Sequence, residues 1–249
     1  MEVHAHSHTA RKKWTHYLWE FLMLFMAVST GFLVENQREH YIEQQRAKVY
    51  ATNLYEDLKK DTALLNNLMK RTEFTSKKLD TLCFYINEKS QRGISNGMLY
   101  WYARFTTHVL YFSANNATLE ELKGSGNLRL MKNKVAQEIS LYDKNLSELA
   151  HEYSLSKTEF AKMEELYFRI FDYYVSAKIY PGENPIPSDS AFRLNPPLID
   201  DDPKLMKEYT GWITFEKGIY REQTRDYLNP IRVAATELMA LLKKEYRLE

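Results

Sequence analysis

Two hydrophobic patterns divide the chain. Residues Trp14–Val34, WTHYLWEFLMLFMAVSTGFLV, are apolar nearly all round, with Glu20 inside the run. As a helix this run is about 31 Å long at ~1.5 Å per residue, a match to the hydrocarbon thickness of a bilayer. Beyond Glu35-Asn36-Gln37-Arg38 the pattern turns amphipathic. Ala47, Ala51, Leu54, Leu58, Leu65, Leu68, Leu79, Leu82 and Ile86 recur at three- and four-residue steps, with Asp61, Thr72 and Thr75 in phase among them. That is the seam of one long packed helix. No glycine or proline interrupts the passage from the membrane run into the seam, so the helix is expected to leave the membrane unbroken, with Thr75-Ser76 as a candidate kink.

The first turn signal is Arg92-Gly93-Ile94-Ser95-Asn96-Gly97. A second helix is expected over Met98–Phe112, rich in aromatic residues. Thr118 with Glu121 reads as the capping box of a short helix, which Gly124-Ser125-Gly126 ends. A third long helix is expected from about Leu130 to Val175. Its stripe runs Val135, Ile139, Tyr142, Leu146, Leu149, Tyr153, Ser156, Phe160, Met163, Tyr167, Ile170, Tyr174, and only Ser156 in it is neither apolar nor aromatic. Residues 176–203 hold Pro181, Pro185, Pro187, Pro196, Pro197 and Pro203 and read as an extended surface connection. Asp202-Pro203 then forms the N-cap and first position of a last helix, kinked or re-initiated at Asn229-Pro230. The expected fold is all-α: one N-terminal transmembrane helix continuing into an elongated antiparallel bundle of about four helices.

Aromatic Trp14, Tyr17 and Trp19 mark one edge of the membrane run, and Arg11-Lys12-Lys13 lie on the same side. The positive-inside rule then puts the N-terminus in the cytoplasm and the rest outside. A cleavable signal peptide competes, because Ala27-Val28-Ser29 supplies small residues. Against it, Gly31–Val34 prolongs the apolar run past that site and Glu20 falls inside it. Glu20 itself has two readings, an interfacial carboxylate near headgroup water or a polar contact to another membrane helix. Ala27, Ser29, Thr30 and Gly31 offer small residues for close helix packing.

Charge and chemistry change this picture little. The 34 Lys+Arg and 33 Asp+Glu nearly cancel, so no basic field points to nucleic acid. The eight glycines and seven prolines favour helices over a Rossmann or all-β fold. Cys83 is alone, which excludes an intramolecular disulfide. His4, His6 and His8 are weak metal candidates. Glu148 and His151 form one Glu-x-x-His pair, whereas a di-iron bundle needs two. Asp200-Asp201-Asp202 lacks the spacing and glycine of a calcium loop. Tyr100, Trp101, Phe105, Tyr167 and Phe171 are candidates for a ligand pocket between helices, against the plainer reading that they fill the core. No nucleophile–base pair or phosphate loop appears, so neither an enzyme nor a cofactor is expected.

Several stretches together resemble an uncharacterised Bacteroidota-type family of single-pass inner-membrane proteins. They are KKWTHYLWEFLMLFMAVSTGFLVENQREH (Lys12–His40), YEDLKKD (Tyr55–Asp61) and ELKGSGNLRLMKNKVAQEISLYD (Glu121–Asp143), with the His-rich N-terminus and Tyr227-Leu228-Asn229. The resemblance covers most of the chain except the proline-rich connection. It implies an inner-membrane anchor (residues 14–34) after a short cytoplasmic tail, a periplasmic helical domain and no assigned activity. Glu20 and the Glu35-Asn36 pair match motif positions of that family. The expected function is a membrane-anchored interaction or scaffold protein whose partners are the lipid bilayer, other envelope membrane proteins or a second copy. A periplasmic ligand-sensing domain is the alternative.

Overall fold

A computed structural model describes residues 14–180 and 188–248. The basic tail, His4, His6 and His8, and Pro181, Pro185 and Pro187 lie outside the described residues. The described chain is all-α, and it divides into two compact units, one ending at Tyr50 and one beginning at Ala51.

The first unit is the opening half of α1, a single helix over Trp14–Arg92. It passes through Thr75-Ser76 without interruption. Thr72 keeps its hydroxyl satisfied by donating to the Leu68 carbonyl at 2.9 Å, so a polar residue is carried without breaking the ladder. Within the first unit α1 has the length and hydropathy to cross a membrane, and none of that window is buried by the protein.

From Ala51 on, three long rods pack together. The first is the rest of α1. The second is α4 (Asn133–Leu155) followed by α5 (Lys157–Ile170). The third is α8 (Pro203–Glu222), a π-helical turn (Gln223–Leu228) and α9 (Asn229–Tyr246). Lys132 at the start of α4 pairs with Glu245 at the end of α9, and Phe160 on α5 stacks near Tyr220 on α8, so these rods are antiparallel. Lys243 over the Tyr55 ring and the Lys217–Asp80 ion pair set α1 antiparallel to the third rod as well. Between the rods lie α2 (Asn96–Ala103), α3 (Ala117–Gly124), α6 (Tyr173–Ile179) and α7 (Ser188–Arg193).

The helix expected over Met98–Phe112 is shorter. After α2 and a 3-10 turn at Arg104–Thr106 the chain is non-helical up to α3, and Asp61 on α1 holds Asn115 near the end of that stretch. Thr118 donates to Asp57 at 2.6 Å instead of capping α3, whose N-cap is Asn116, so no capping box forms. The long third helix is interrupted twice. Ser156 separates α4 from α5 and bonds back to the Glu152 carbonyl at 3.2 Å. Phe171 is extended before Asp172 caps α6, which turns Tyr174 out of the stripe into solvent.

The proline-rich connection is more than a surface loop where it is described. Ala191 on α7 is fully buried, and Asn96 and Tyr100 on α2 donate to the carbonyls of Pro196 and Pro197. Asp202 accepts from the backbone of Lys204 and Leu205, with Pro203 in the first turn of α8. Downstream, Pro230 lacks an N–H for the carbonyl four residues back, and its ring would press on that carbonyl. The wider π turn just before it relieves both problems.

Gly97 sits where α2 touches the end of α7: its N–H donates to the Leu194 carbonyl at 3.1 Å. A Cβ there would press on the carbonyl oxygens of Ala191 and Leu194. Gly97→Ala is therefore expected to cost about 1–3 kcal/mol, the range for overpacking, measured as a lowered urea midpoint of the detergent-solubilised chain. An unchanged midpoint would show that this contact is slack.

Candidate functional site

Four places hold the residues of interest. In the membrane-length part of α1, Trp14, Phe25 and Phe32 are all exposed to whatever surrounds the helix. At about 100° per residue, Glu20, Ala27, Thr30 and Gly31 share one face, while Ser29 falls about 200° from Ala27, on the opposite one. Ser29 is thus dropped from the small-residue face. A Cβ on Gly31 would meet nothing within 4 Å, so the face is open. His16 adds to it: its Nε2 lies 2.9 Å from a Glu20 carboxylate oxygen, one turn away. Only the i,i+4 spacing of His16 and Glu20 announced that pair. At the exit, Arg38 makes a two-pronged contact with Glu35 at 2.6 and 2.9 Å and holds that carboxyl below its usual range by hydrogen bonding. Asn36 is exposed beside it.

The second place is Asp61, 1% exposed. One of its oxygens accepts from the Asn115 backbone N–H (2.8 Å) and side-chain Nδ2 (2.6 Å), and the other accepts from the Tyr142 hydroxyl (2.7 Å). A buried carboxylate is tolerable only with such a set of donors. In the sequence Asp61 looked like a weak point of the seam. It is the post to which the extended segment before α3 is tied.

The third place overturns the candidate ligand pocket. Tyr100, Tyr167 and Phe171 are core residues: Phe171 stacks on Tyr167 at 5.2 Å and meets Tyr100 edge-on at 5.1 Å. Trp101 and Phe105 surround the chain's own Arg104, whose guanidinium lies 4.0 Å from the Trp101 ring, 4.6 Å from Phe105 and 4.0 Å from Tyr180. The aromatic box is filled by an internal cation.

The fourth place is a cleft of about 680 Å³ between α1 and the α8–π–α9 rod. Its charged lining is Lys70, Glu73, Asp80, Lys217, Arg221 and Arg225, with Met69, Tyr220 and Thr224 between them. Behind Tyr220 lies Glu216, 4% exposed, whose Oε1 accepts from the Tyr220 hydroxyl at 2.8 Å while Oε2 has no partner. Burial pushes its carboxyl up to about 7, against the opposing hydrogen bond from Tyr220. The Tyr220 hydroxyl also lies 3.3 Å from the His108 carbonyl. One phenolic proton serves only one of these acceptors well. A protonated Glu216 donates to the phenol oxygen and frees Tyr220 to donate to His108.

Glu148 pairs with Lys144 at 3.5 Å on the surface. Among the described residues no group of three or more His, Cys, Asp or Glu side chains is placed to hold a metal ion. Cys83 is half-buried, and desolvation raises its thiol. Comparison of the chain with protein-family models, curated proteins and solved structures finds no match. The class of protein is therefore set by the structure alone: an all-α bundle protein with, among the described residues, one helix long and apolar enough to cross a membrane.

Two outcomes follow from the buried carboxylates. Asp61→Ala leaves the Asn115 and Tyr142 donors unpaired and is expected to cost about 3 kcal/mol or more, with Asp61→Asn recovering part of it. Equal unfolding curves for wild type and Asp61→Ala would contradict the tether. For Glu216 the folded-state value is raised above 4.5. Its full contribution is therefore present below pH 4.5 and is lost as pH rises to about 7. Relative to wild type, Glu216→Gln should gain about 3 kcal/mol between those pH values, read by urea unfolding at each pH. Parallel curves would mean that Glu216 is solvated.

Proposed function

We propose that this chain is a single-pass inner-membrane protein with a cytoplasmic N-terminus and a periplasmic helical domain, acting as an interaction or scaffold protein in a cell-envelope complex. The observation that carries the reading is the membrane-length part of α1, whose apolar side chains are not buried among the described residues. Water does not tolerate such a cylinder. The basic residues Arg11–Lys13 precede it, which favours this orientation. The resemblance of Lys12–His40 and Glu121–Asp143 to the Bacteroidota-type family implies the same placement.

An anchor alone does not need a His–Glu pair on the face that also holds Ala27 and Gly31. Small residues four apart allow two helix backbones to approach closely. A polar pair on the same face then finds a partner instead of lipid. The occupant of that face is another membrane helix, from a second copy or a different envelope protein. No catalytic role is included in this reading.

The test is crosslinking in native membranes of the intact protein, its Glu20→Gln form and its Gly31→Leu form, after carbonate extraction has separated integral from peripheral protein. The chain is expected in the integral fraction, with a defined crosslinked species that weakens in both variants. Release by carbonate defeats the anchor. An integral protein that crosslinks to nothing defeats the scaffold.

A further inference from the structure

Four buried polar residues of the bundle fall at one level. Lys217 opposite Asp80 and Phe160 opposite Tyr220 bracket that level on one side, and Tyr227 beside Glu152 brackets it on the other. Within it lie Thr72 and Thr75 on α1, Ser156 between α4 and α5, and Gln223 at the start of the π turn, all buried. One continuous apolar cluster takes α1 from Leu79, α5 from Met163 and α8 as far as Tyr220. Leu68, Leu149 and Leu228, on the other side of the level, are buried outside that cluster. The cleft opens at this polar cross-section. Two buried polar atoms there have no partner, Nε2 of Gln223 and Oγ1 of Thr224, and Thr224 is part of the cleft wall. A helical threonine usually donates to a carbonyl one turn back, and the π turn removes that option.

The charges of the cleft do not cancel. Asp80 is matched by Lys217, Glu73 by Lys77 at 2.6 Å, and Arg225 by Asp226 at 2.6 Å. Lys70 on the α1 wall and Arg221 on the α8 wall have no carboxylate within ion-pair distance among the described residues. Two unmatched cations therefore face one cleft from opposite walls. Met69, the Tyr220 ring and the aliphatic stems of the long cations supply apolar surface between them. The volume is that of a small-molecule site.

We propose that this cleft binds an organic anion, a molecule with one carboxylate or phosphate held between Lys70 and Arg221 and a short apolar body against Met69 and Tyr220. A ligand here touches both α1 and the third rod at a level where polar residues interrupt the apolar core. The site is separate from the aromatic box around Arg104 and does not depend on the membrane reading.

The experiment is calorimetric titration of the full chain in detergent with phenyl phosphate, benzoate and inorganic phosphate. It compares wild type with the Lys70→Glu/Arg221→Glu double variant, the milder Lys70→Gln/Arg221→Gln double variant and a surface control, Arg129→Glu/Lys157→Glu. Thermal melts select variants that fold. Saturable binding of phenyl phosphate or benzoate is expected in wild type and the control. It should be weaker by about tenfold or more in a folded Lys70/Arg221 variant, because each loses charge-assisted hydrogen bonds. Whichever of the two aromatic anions binds tighter identifies the head group. The proposal is overturned if neither aromatic anion saturates, or if the folded variants bind like wild type. It is also overturned if inorganic phosphate binds as tightly as phenyl phosphate, since the apolar wall then contributes nothing.

Discussion

A helix that lines up Leu54, Leu58, Leu65, Leu68, Leu79 and Leu82 cannot stand in water, and the structure after Ala51 is arranged to cover that line. Each fully buried leucine is worth roughly 1.5–3 kcal/mol relative to exposure, so the stripe as a whole outweighs any single polar contact around it. Covering it needs partners of comparable length, which α4–α5 and α8–α9 provide. Each of these is amphipathic over its own span, with Val135, Ile139 and Met163 on one and Ile213, Ile231 and Leu238 on the other. The short helices α2, α3 and α7 fill the gaps that three rods leave, and Gly97 and Asp61 fix where two of the gaps close.

The same rods explain the weak level. On α1 the Thr72 hydroxyl bonds back along the helix, so this polar residue enters the core and the helix stays whole. On the second rod Ser156 also bonds back, yet the helix is interrupted there. On the third the cause is Pro230, which forces the π turn and strands Gln223 and Thr224. Unsatisfied groups gathered at one cross-section lower the local cost of opening, and such regions are where ligand-responsive motion is drawn from. The cleft opens at this level.

Much of this was legible in the residues. The seam of α1, the Asp202-Pro203 start of α8 and the disturbance at Asn229-Pro230 follow from periodicity and from the missing N–H of proline. The tertiary roles of polar residues were not legible. Asp61 interrupts a leucine seam in the sequence, and only the arrival of Asn115 and Tyr142 shows that it is satisfied. Thr118 carries the local signature of a cap, but Asp57 on another helix outcompetes the backbone for its hydroxyl. The aromatic cluster could be read as core or as pocket, because composition does not show Arg104 standing inside it. The cleft was invisible for a related reason: its cations come from α1 and α8, far apart in sequence and matched only through the fold.

The membrane-length part of α1 poses a separate problem of charge. A lone carboxylate in hydrocarbon costs several kcal/mol, which argues against Glu20 in an anchor. His16 changes that balance. The imidazole Nε2 lies 2.9 Å from the carboxylate, so Glu20 has a polar partner one turn away. A carboxylate with such a partner enters the interfacial region more cheaply than a lone one. What the pair retains is polarity, aimed along the same face as Ala27 and Gly31, where lipid offers no hydrogen bond and a neighbouring helix does. Glu20 and His16 thereby give this apolar helix one polar side.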